Sequence, residues 1–424
     1  MTYHLIGIEG SAMSGLAEIL RAQGHTVTGS DLATTGHDAA NVSGAERVVY
    51  TPAVREGSPG WVELAAGQAQ GIPTLRADEL LGELTAQATL VAVTGSHGKS
   101  STTALLATML DGAGRNPTVL LGAPVAAWGG KNYRIGDPTL WVLEADDYDR
   151  KFLTLTPQIA VITNIDREHL DVYADLVDIQ AAFRAFVDRI RPGGTLVAHQ
   201  DPSVDPVVTG LSADVKVVRY GTGTSYPSSL IPPLVTPGEH FRDNAAGALA
   251  AAEALGVERA DALRALERFR GVGRRIECLG ERGGVTVYDD YAHHPTEIQA
   301  TLRALSAQYP NRRLIVAFQP HQHSRAKALF AEFSEAFTNA DRVLLADVYA
   351  VPGRDETEHV DARDLAAAIG EHGVDVRYVG PLDALTAILD TELEPGDVFL
   401  TMGATAITTV GRTWVSGGDR GTTT

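Results

Sequence analysis

Residues 91–103 read VAVTGSHGKSSTT, and the rest of the chain is arranged around this stretch. Its apolar, β-branched start predicts a buried strand, its glycines predict a turn, and residues 104–110 predict a helix. Backbone N–H groups at such a turn and the positive end of the helix dipole favour an anion. Lys99 adds a positive charge, and the Ser100 hydroxyl suits Mg²⁺. The stretch therefore predicts a site for a nucleoside triphosphate.

The loop is shorter than the common nucleotide-binding loop. Two residues separate Gly95 from Gly98, whereas about four lie between the glycines of that loop. Turns of glycine and serine between a strand and a helix are ordinary, so the alternative is a turn with no ligand. The Gly-Lys-Ser triplet at the end of a strand favours the phosphate site.

Composition limits the classes of function. A chain of 424 residues corresponds to roughly two to four domains. The net charge of −18 argues against nucleic acid or an anionic membrane as the main partner. Cys278 is the only cysteine, so neither a disulfide framework nor a cysteine metal cluster is expected. The amino terminus lacks the pattern of a signal peptide, and no apolar run approaches a membrane span. We expect a soluble, cytoplasmic protein.

The amino-terminal residues predict a βαβ unit with a phosphate-type turn. Residues 3–8 form its first strand and residues 25–31 its second, which ends at Asp31. An acid about twenty residues after the turn can bind a ribose. The spacing of Gly7, Gly10 and Gly15 is not G-x-G-x-x-G, so a nicotinamide dinucleotide is weakly supported. Another nucleotide or a diphosphate fits equally well, and a plain structural turn stays open.

Two further strands end in polar residues that suit a metal site. Residues 139–143 predict a strand that is followed by four carboxylates within six residues, beginning with Glu144. These carboxylates repel each other unless a cation or solvent relieves them, and Glu144 is our preferred Mg²⁺ ligand. The alternative is a solvated acidic loop. Residues 159–165 predict the next strand, and His169 after it is a possible cation ligand, although a lone histidine is commonly structural.

The carboxyl-terminal third predicts another open α/β sheet. The pattern weakens over residues 210–237, and residues 222–229 within it predict a loop. Residues 271–275 (GVGRR) then resemble a hinge with two cations, and a domain begins near Glu277. Its strands end in polar runs at residues 289–297 and 319–325, and Thr296 is the expected cap of the helix that follows the first run. Residues 416–424 are expected to form a flexible tail.

Seven motifs, in this order, resemble those of the Mur ligases and span nearly the whole chain. They are GSAMSG (10–15), GSHGKS (95–100), EADDYD (144–149), NIDREHLD (164–171), GRR (273–275), DDYAHHPTE (289–297) and FQPH (318–321). The 289–297 and 144–149 strings are the specific ones, since the glycine-rich pieces alone are weak. Within the family, the closest resemblance is to the members that join L-alanine to UDP-N-acetylmuramate.

The resemblance implies a three-domain α/β ligase. Its domains would be a Rossmann-like UDP-sugar domain (1–88), a central P-loop-type ATP domain (89–276) and a Rossmann-like amino-acid domain (277–424). The implied partners are UDP-N-acetylmuramate, L-alanine and ATP with Mg²⁺, in a monomer or weak homodimer of peptidoglycan synthesis. The implied reaction phosphorylates the lactyl carboxylate from ATP, and the amine of L-alanine then displaces phosphate, with no covalent enzyme nucleophile.

The resemblance also implies roles for individual residues. The catalytic group comprises Lys99, His97 and His169. The ATP group comprises Gly95, Ser96, Gly98, Lys99, Ser100, Ser101, Asn164, Arg275 and Asp290, with Asp290 on the ribose. The metal ligands are Ser100, Glu144 and His169. The UDP-sugar group comprises Gly10, Ser11, Met13, Ser14, Ser30 and Asp31. The amino-acid group comprises Tyr291, His293, His294, His321 and Arg325, with Arg325 on the carboxylate.

The chain departs from the family pattern at several points. Gln322 and His323 stand where many members have Arg-Tyr, and His240-Phe241 stands where members have His-Asn. Residues 402–406 and a short segment before Gly238 also differ. Three alternatives follow: a murein-peptide recycling ligase, a non-catalytic nucleotide-binding subunit and, more remotely, a nicotinamide oxidoreductase.

Overall fold

The computed structural model describes residues 1–351 and 359–417, whose strands form three sheets. These residues form two compact units. The first comprises Met1–Asp166, Val177–Pro232 and Asp243–Arg270, and it contains two of the sheets. The second comprises Arg167–Leu176, Pro233–Arg242 and the described residues from Gly271 onward, and it contains the third sheet.

The first sheet is parallel and has the order β2-β1-β3-β4. Its strands are β1 (Thr2–Ile6), β2 (Thr26–Ser30), β3 (Arg47–Tyr50) and β4 (Thr74–Arg76). The helices around it are α1 (Ser11–Ala22), α2 (Trp61–Ala69) and α3 (Ala77–Thr85), with a 3₁₀ turn at Ala39–Val42. Apolar residues of α1, including Leu16 and Leu20, pack on Leu5 and Val49. The predicted βαβ unit is therefore present.

The second sheet has the order β11-β10-β9-β5-β8-β6-β7, and only the β6–β7 pair is antiparallel in it. Its strands are β5 (Thr89–Thr94), β6 (Pro117–Val125), β7 (Lys131–Arg134), β8 (Asp137–Glu144), β9 (Ile159–Ile162), β10 (Thr195–His199) and β11 (Lys216–Tyr220). The helices of this part of the chain are α4 (Lys99–Gly112), α5 (Leu176–Val187), α6 (Asp205–Val208), α7 (Glu239–Ala254) and α8 (Arg259–Ala265). The central strand is β5, between β8 and β9, so the carboxyl ends of these three strands share one edge.

The third sheet has the order β12-β13-β17-β14-β15-β16, and β12 is antiparallel to its neighbour. Its strands are β12 (Glu277–Arg282), β13 (Val285–Asp290), β14 (Leu314–Phe318), β15 (Arg342–Ala346), β16 (Asp375–Gly380) and β17 (Val398–Met402). Its helices are α9 (Pro295–Gln308), α10 (His323–Ala328), α11 (Phe330–Glu335), α12 (Ala362–Glu371), α13 (Leu382–Glu392) and α14 (Thr408–Ser416). Apolar clusters cover both faces of the sheet.

The structure contains elements that the sequence analysis did not predict. Sequence reasoning missed β11, which lies where the pattern weakens, and also β6, β7, β12 and α14, whereas residues 222–227 of the expected loop lie outside the helices and strands. Since β7, β11 and β12 are edge strands, tertiary pairing fixes them more than their own pattern does. Leu329, where φ is −118° and ψ 26°, separates α10 from α11.

Two further expectations concern the carboxyl-terminal tail and membrane-spanning helices. Ser416 is the last residue of α14, and residues 418–424 of the expected flexible tail lie outside the described residues. In the part of the chain that the structure describes, no helix has both the length and the apolar character to cross a membrane.

Candidate active site

The predicted strand, glycine loop and helix are present at the edge of the second sheet. β5 ends at Thr94, and α4 begins at Lys99. Gly95 has a φ of +136°, and a Cβ there would lie 2.0 Å from the Thr163 hydroxyl. Gly98, with a φ of +81°, would place a Cβ 2.6 Å from Asn244. Both positions require glycine because of backbone conformation and close approach.

The segment after β9 braces this loop. The His97 N–H donates to the Asn164 side-chain oxygen at 2.8 Å, and the Ser96 N–H donates to the Asn164 carbonyl at 3.1 Å. The Thr163 hydroxyl and the Asn164 amide group both donate to the His97 carbonyl. The backbone of the loop is thus held in one shape by side chains of the neighbouring strand end, which is the preorganisation that a phosphate site needs.

Lys99 lies folded against its own loop. Its Nζ donates to the carbonyls of Gly95 (2.6 Å) and Ser96 (3.1 Å) and forms an ion pair with Asp147 at 2.8 Å. The Asp147 side chain is 2% exposed and that of Lys99 is 14% exposed. This carboxylate is the counter-charge of the loop lysine, a role that the sequence assigned to no single acid.

Glu144 lies beside the start of α4. Its Oε2 accepts hydrogen bonds from the Ser100 hydroxyl at 2.8 Å and from the Gly122 N–H at 2.6 Å. The predicted pair of hydroxyl and carboxylate is therefore brought together. These are hard oxygen donors next to a phosphate-type loop, so their chemistry fits a divalent cation.

The repulsion expected within the acidic string is relieved mostly by cationic side chains. Asp146 pairs with Lys151 at 2.7 Å, and Asp149 pairs with Arg76 at 3.1 Å. Together with the Lys99–Asp147 pair and the hydrogen bonds to Glu144, these contacts give each carboxylate of the string a separate partner. Asp146 and Asp149 are 47% and 42% exposed, so the solvated loop that we considered as an alternative describes these two carboxylates but not the buried Asp147.

His97 is oriented by a carboxylate. Its Nε2 lies 3.0 Å from Asp166 Oδ2, and its side chain is 11% exposed. This contact fixes the orientation of the imidazole ring.

Some residues of the predicted UDP-sugar site at the amino-terminal turn are buried, and others are exposed. Ser11 is exposed at the start of α1, and Ser14 donates to its carbonyl at 3.1 Å. Met13 is 2% exposed within the core of the first sheet, so its side chain does not line the turn. Ser30 is fully buried and donates to Glu63. Asp31, at the carboxyl end of β2, accepts the Ala33 N–H at 3.0 Å.

Glu63 is a buried acid that sequence reasoning missed. It is fully buried on α2, and one carboxylate oxygen accepts from Ser30 and lies 3.0 Å from His4 Nε2. The other oxygen accepts from Asn41 at 2.7 Å and lies 3.2 Å from His37 Nδ1. Burial raises the pKa of Glu63, but hydrogen bonds led by Ser30 outweigh this and hold it below the ordinary 4.5. The network fixes the segment that follows β2.

Asp290 and Arg275 lie in the second unit. The two oxygens of Asp290 accept the N–H groups of Ala292 (2.7 Å) and Ile276 (2.6 Å), and the residue is 4% exposed. Burial raises the pKa of Asp290 to about 7, although the Arg275 charge and the amide hydrogen bonds oppose the rise. Arg275 packs over the Tyr291 ring, 5.0 Å from its centre. Asp290 therefore holds the local backbone, whatever else it binds.

Two of the predicted amino-acid residues contact one buried carboxylate, and a third contacts one of these two. His293 Nε2 and Arg325 Nη2 lie 3.3 Å and 3.4 Å from Oε1 of Glu168. Arg325 Nη1 also lies 3.1 Å from His321 Nδ1, and the His321 ring stacks on Tyr349 at 5.7 Å. Glu168 was not predicted, although it stands inside the 164–171 motif.

His294 has a structural task. It is the N-cap of α9, where its Nδ1 accepts the Thr296 N–H at 3.3 Å, so the cap predicted at Thr296 was wrong. Pro295 occupies the first helical position, where the missing N–H has no cost. His294 Nε2 faces the carbonyl of Arg167 at 3.2 Å.

His169 lies in a segment that belongs to the second unit. Its φ is +55°, and its carbonyl accepts the N–H groups of Val172 and Tyr173 in a tight turn. A small pocket of this unit is lined by His169, Glu168, Arg325 and Gln322, among others.

Three residues that depart from the family pattern are all buried. Phe241 is 3% exposed in the core of the third sheet. Gln322 is 3% exposed with a φ of +73°, which is strained for a residue that has a Cβ. The Nδ1 of His323 accepts the Val360 N–H at 3.1 Å.

Comparison with known proteins defines the class. Three family models match in chain order: the Mur ligase family catalytic domain at residues 2–89, the Mur ligase middle domain at 93–230 and the Mur ligase, glutamate ligase domain at 274–405. This chain belongs to the Mur ligase family, and its three sheets form the three-domain fold of that family.

Relatives and solved structures narrow the similarity. The chain is 39% identical to a UDP-N-acetylmuramate–L-alanine ligase of Nitratidesulfovibrio vulgaris, over 98% of each chain. It is 40% identical to the same enzyme of Roseiflexus sp., over 95% of this chain and 96% of that one. The solved UDP-N-acetylmuramate-alanine ligase of Thermotoga maritima superimposes with a TM-score of 0.79 at 26% identity, covering 98% of this chain and 99% of that one.

Proposed function

We propose that this chain is an ATP-dependent ligase that joins L-alanine to the lactyl carboxylate of UDP-N-acetylmuramate in peptidoglycan synthesis. The observation that carries the proposal is the short phosphate loop with Lys99, braced by Asn164 and flanked by the Ser100–Glu144 pair. Full-length relatives near 39% identity that bear this enzyme's name support the same reaction. The cytoplasm, which supplies both nucleotides, is its proposed compartment.

The ATP phosphates bind along the loop in this proposal. The backbone of residues 95–98 and the start of α4 face them, with Ser96, Ser101 and Asn164 in support. Lys99 stabilises charge on the β- and γ-phosphates as it develops in the transition state. Arg275 and Asp290 stay assigned to the phosphates and the ribose.

Ser100 and Glu144 would hold one Mg²⁺ and His169 a second. Bound Mg²⁺ would neutralise phosphate charge during transfer. Both oxygen donors of the first site already face each other at hydrogen-bond distance, as their shared use by one cation requires.

The sugar nucleotide binds at the amino-terminal turn. Gly10, Ser11 and Ser14 offer backbone and hydroxyl groups, and Asp31 offers a carboxylate for the ribose. Met13 and Ser30 contribute through their backbone, since their side chains are committed elsewhere. Residues 1–88, 89–276 and 277–424 remain the proposed domains.

The reaction then has two steps. A lactyl carboxylate oxygen attacks the γ-phosphorus, ADP leaves, and an acyl phosphate forms. His97, oriented by Asp166, faces this carboxylate. The neutral amine of L-alanine attacks the acyl carbon, inorganic phosphate leaves, and the amine loses a proton. His293, His294, His321, Tyr291 and Arg325 form the amino-acid site, in which Arg325 binds the carboxylate.

The experiment is a panel of amino acids with UDP-N-acetylmuramate and Mg-ATP, read as phosphate release. L-alanine is expected to support the highest kcat/KM. Faster turnover with a tripeptide would instead identify a murein-peptide ligase, and nucleotide binding without any turnover would identify a non-catalytic subunit.

A further inference from the structure

Glu168 lies where an imidazole and a guanidinium of the amino-acid site meet. Its side chain is 6% exposed, and its Oε1 lies 3.3 Å from His293 and 3.4 Å from Arg325. A carboxylate is costly to bury unless cations or hydrogen bonds compensate it. Because both partners contact the same oxygen, their nitrogen atoms are held close to each other.

The contacts of Arg325 leave room for a second carboxylate. A guanidinium has five N–H donors, and Glu168 and His321 together use at most three of them among the described residues. A second carboxylate can therefore take a two-pronged contact, the geometry that arginine favours. Glu168 and His321 hold the guanidinium from two sides, so its plane is fixed before an amino acid binds.

The backbone around Glu168 is itself fixed. The carbonyl of Arg167, the preceding residue, faces His294 Nε2 at 3.2 Å. The following residue, His169, makes the tight turn with φ of +55°. The backbone on each side of Glu168 is therefore fixed, and Glu168 lies in the same unit as Arg325.

We infer that Glu168 is the positioning residue of the amino-acid site, because it orients Arg325 and His293 toward the α-carboxylate of the incoming amino acid. The inference rests on the proposed function. It assigns Glu168 no contact with the reacting atoms, so its loss weakens the binding of one substrate rather than all three.

The test compares Glu168→Gln and Glu168→Asp in the full chain with Glu332→Gln as the matched control. Glu332 is an exposed partner of Arg167 in the same region. Steady-state phosphate release gives KM for L-alanine, ATP and the sugar nucleotide. Glu168→Gln is expected to raise KM for L-alanine about tenfold or more and to change the other two KM values by less than about twofold. Glu168→Asp recovers part of the loss, and the control behaves as the wild type.

A double variant protects the test against a general loss of structure. If Glu168 acts through Arg325, the KM effects of Glu168→Gln and Arg325→Lys are not additive. An unchanged KM for L-alanine, an equal rise in all three KM values or full additivity would each overturn the inference. The proposed function is judged separately, by whether the wild-type chain prefers L-alanine, and the same KM comparison applies to whichever amino acid it prefers.

Discussion

Lys99 of the phosphate loop forms an ion pair with Asp147, whose carboxylate is almost completely buried. Removing the lysine therefore has two consequences that can be separated. Lys99→Ala is expected to lower kcat by roughly a thousandfold or more, because the transferring phosphate loses a preorganised cation. It is also expected to destabilise the fold by about 3 kcal/mol, because the buried carboxylate loses its counter-charge.

The double variant Lys99→Ala/Asp147→Asn is the control. It is expected to regain much of the stability in urea unfolding, while phosphate release stays as slow as in Lys99→Ala. Near-normal turnover in either variant would show that the loop does not carry the transfer chemistry.

Glu144 provides a prediction about the metal. Glu144→Gln keeps the size of the side chain and an acceptor for Ser100 and Gly122, but it removes the charge that attracts a divalent cation. The Mg²⁺ concentration for half-maximal activity is expected to rise by about tenfold or more. Asp149→Asn, which alters the exposed pair with Arg76 in the same acidic string, is the matched variant. Equal Mg²⁺ dependence of Glu144→Gln and the wild type would remove Glu144 from the metal site.

The buried Glu63 predicts a stability effect with a defined pH dependence. Glu63→Gln places an N–H₂ group among donors from Ser30, Asn41 and His4, so a loss of about 2–4 kcal/mol is expected at pH 7. The folded-state pKa of Glu63 lies below its ordinary 4.5. The stability that ionised Glu63 gives the fold is therefore complete above 4.5, and it is lost as the pH falls through the lower folded-state pKa.

Urea unfolding of the wild type and of Glu63→Gln across the acid range checks this prediction. The difference between the two free energies of unfolding should shrink as the pH falls below about 4.5. A difference that stays constant, or grows on acidification, would contradict the ionised state assigned to Glu63.

Asp290 predicts the opposite slope. Its folded-state pKa is about 7, above the ordinary 3.8, because burial favours the neutral acid. The folded chain holds this proton more tightly than the unfolded chain. The stability that this tighter proton binding gives the fold is complete below pH 3.8 and is lost as the pH rises through about 7. The free energy of unfolding should therefore fall more between those two values in the wild type than in Asp290→Asn. Parallel curves would show that folding does not raise the pKa of Asp290.

The parts that sequence predicted well are those set by local pattern. The strand before Gly95, the turn and the helix from Lys99 follow from residues that are neighbours in the chain. Glu144 was identified because it directly follows a clear apolar strand, and parallel strands bring their carboxyl ends to one edge.

The parts that sequence missed depend on contacts between distant residues. Glu63 lies on a helix with no special pattern, and its importance comes from His4 and Ser30, which are remote in the chain. Edge strands such as β7 and β12 owe their conformation to the neighbouring strand rather than to their own alternation. Glu168 stood inside a recognised motif, but only the fold shows that Arg325 and His293 converge on it.

The central claim is that ATP activates the lactyl carboxylate of UDP-N-acetylmuramate for attack by L-alanine. The most direct measurement supplies the sugar nucleotide with heavy oxygen in that carboxylate, together with Mg-ATP and L-alanine, and analyses the products by mass spectrometry. We expect a product larger by one alanine residue and one labelled oxygen in the released phosphate. Phosphate release without the alanine adduct, or an adduct formed with no label in the phosphate, would contradict it.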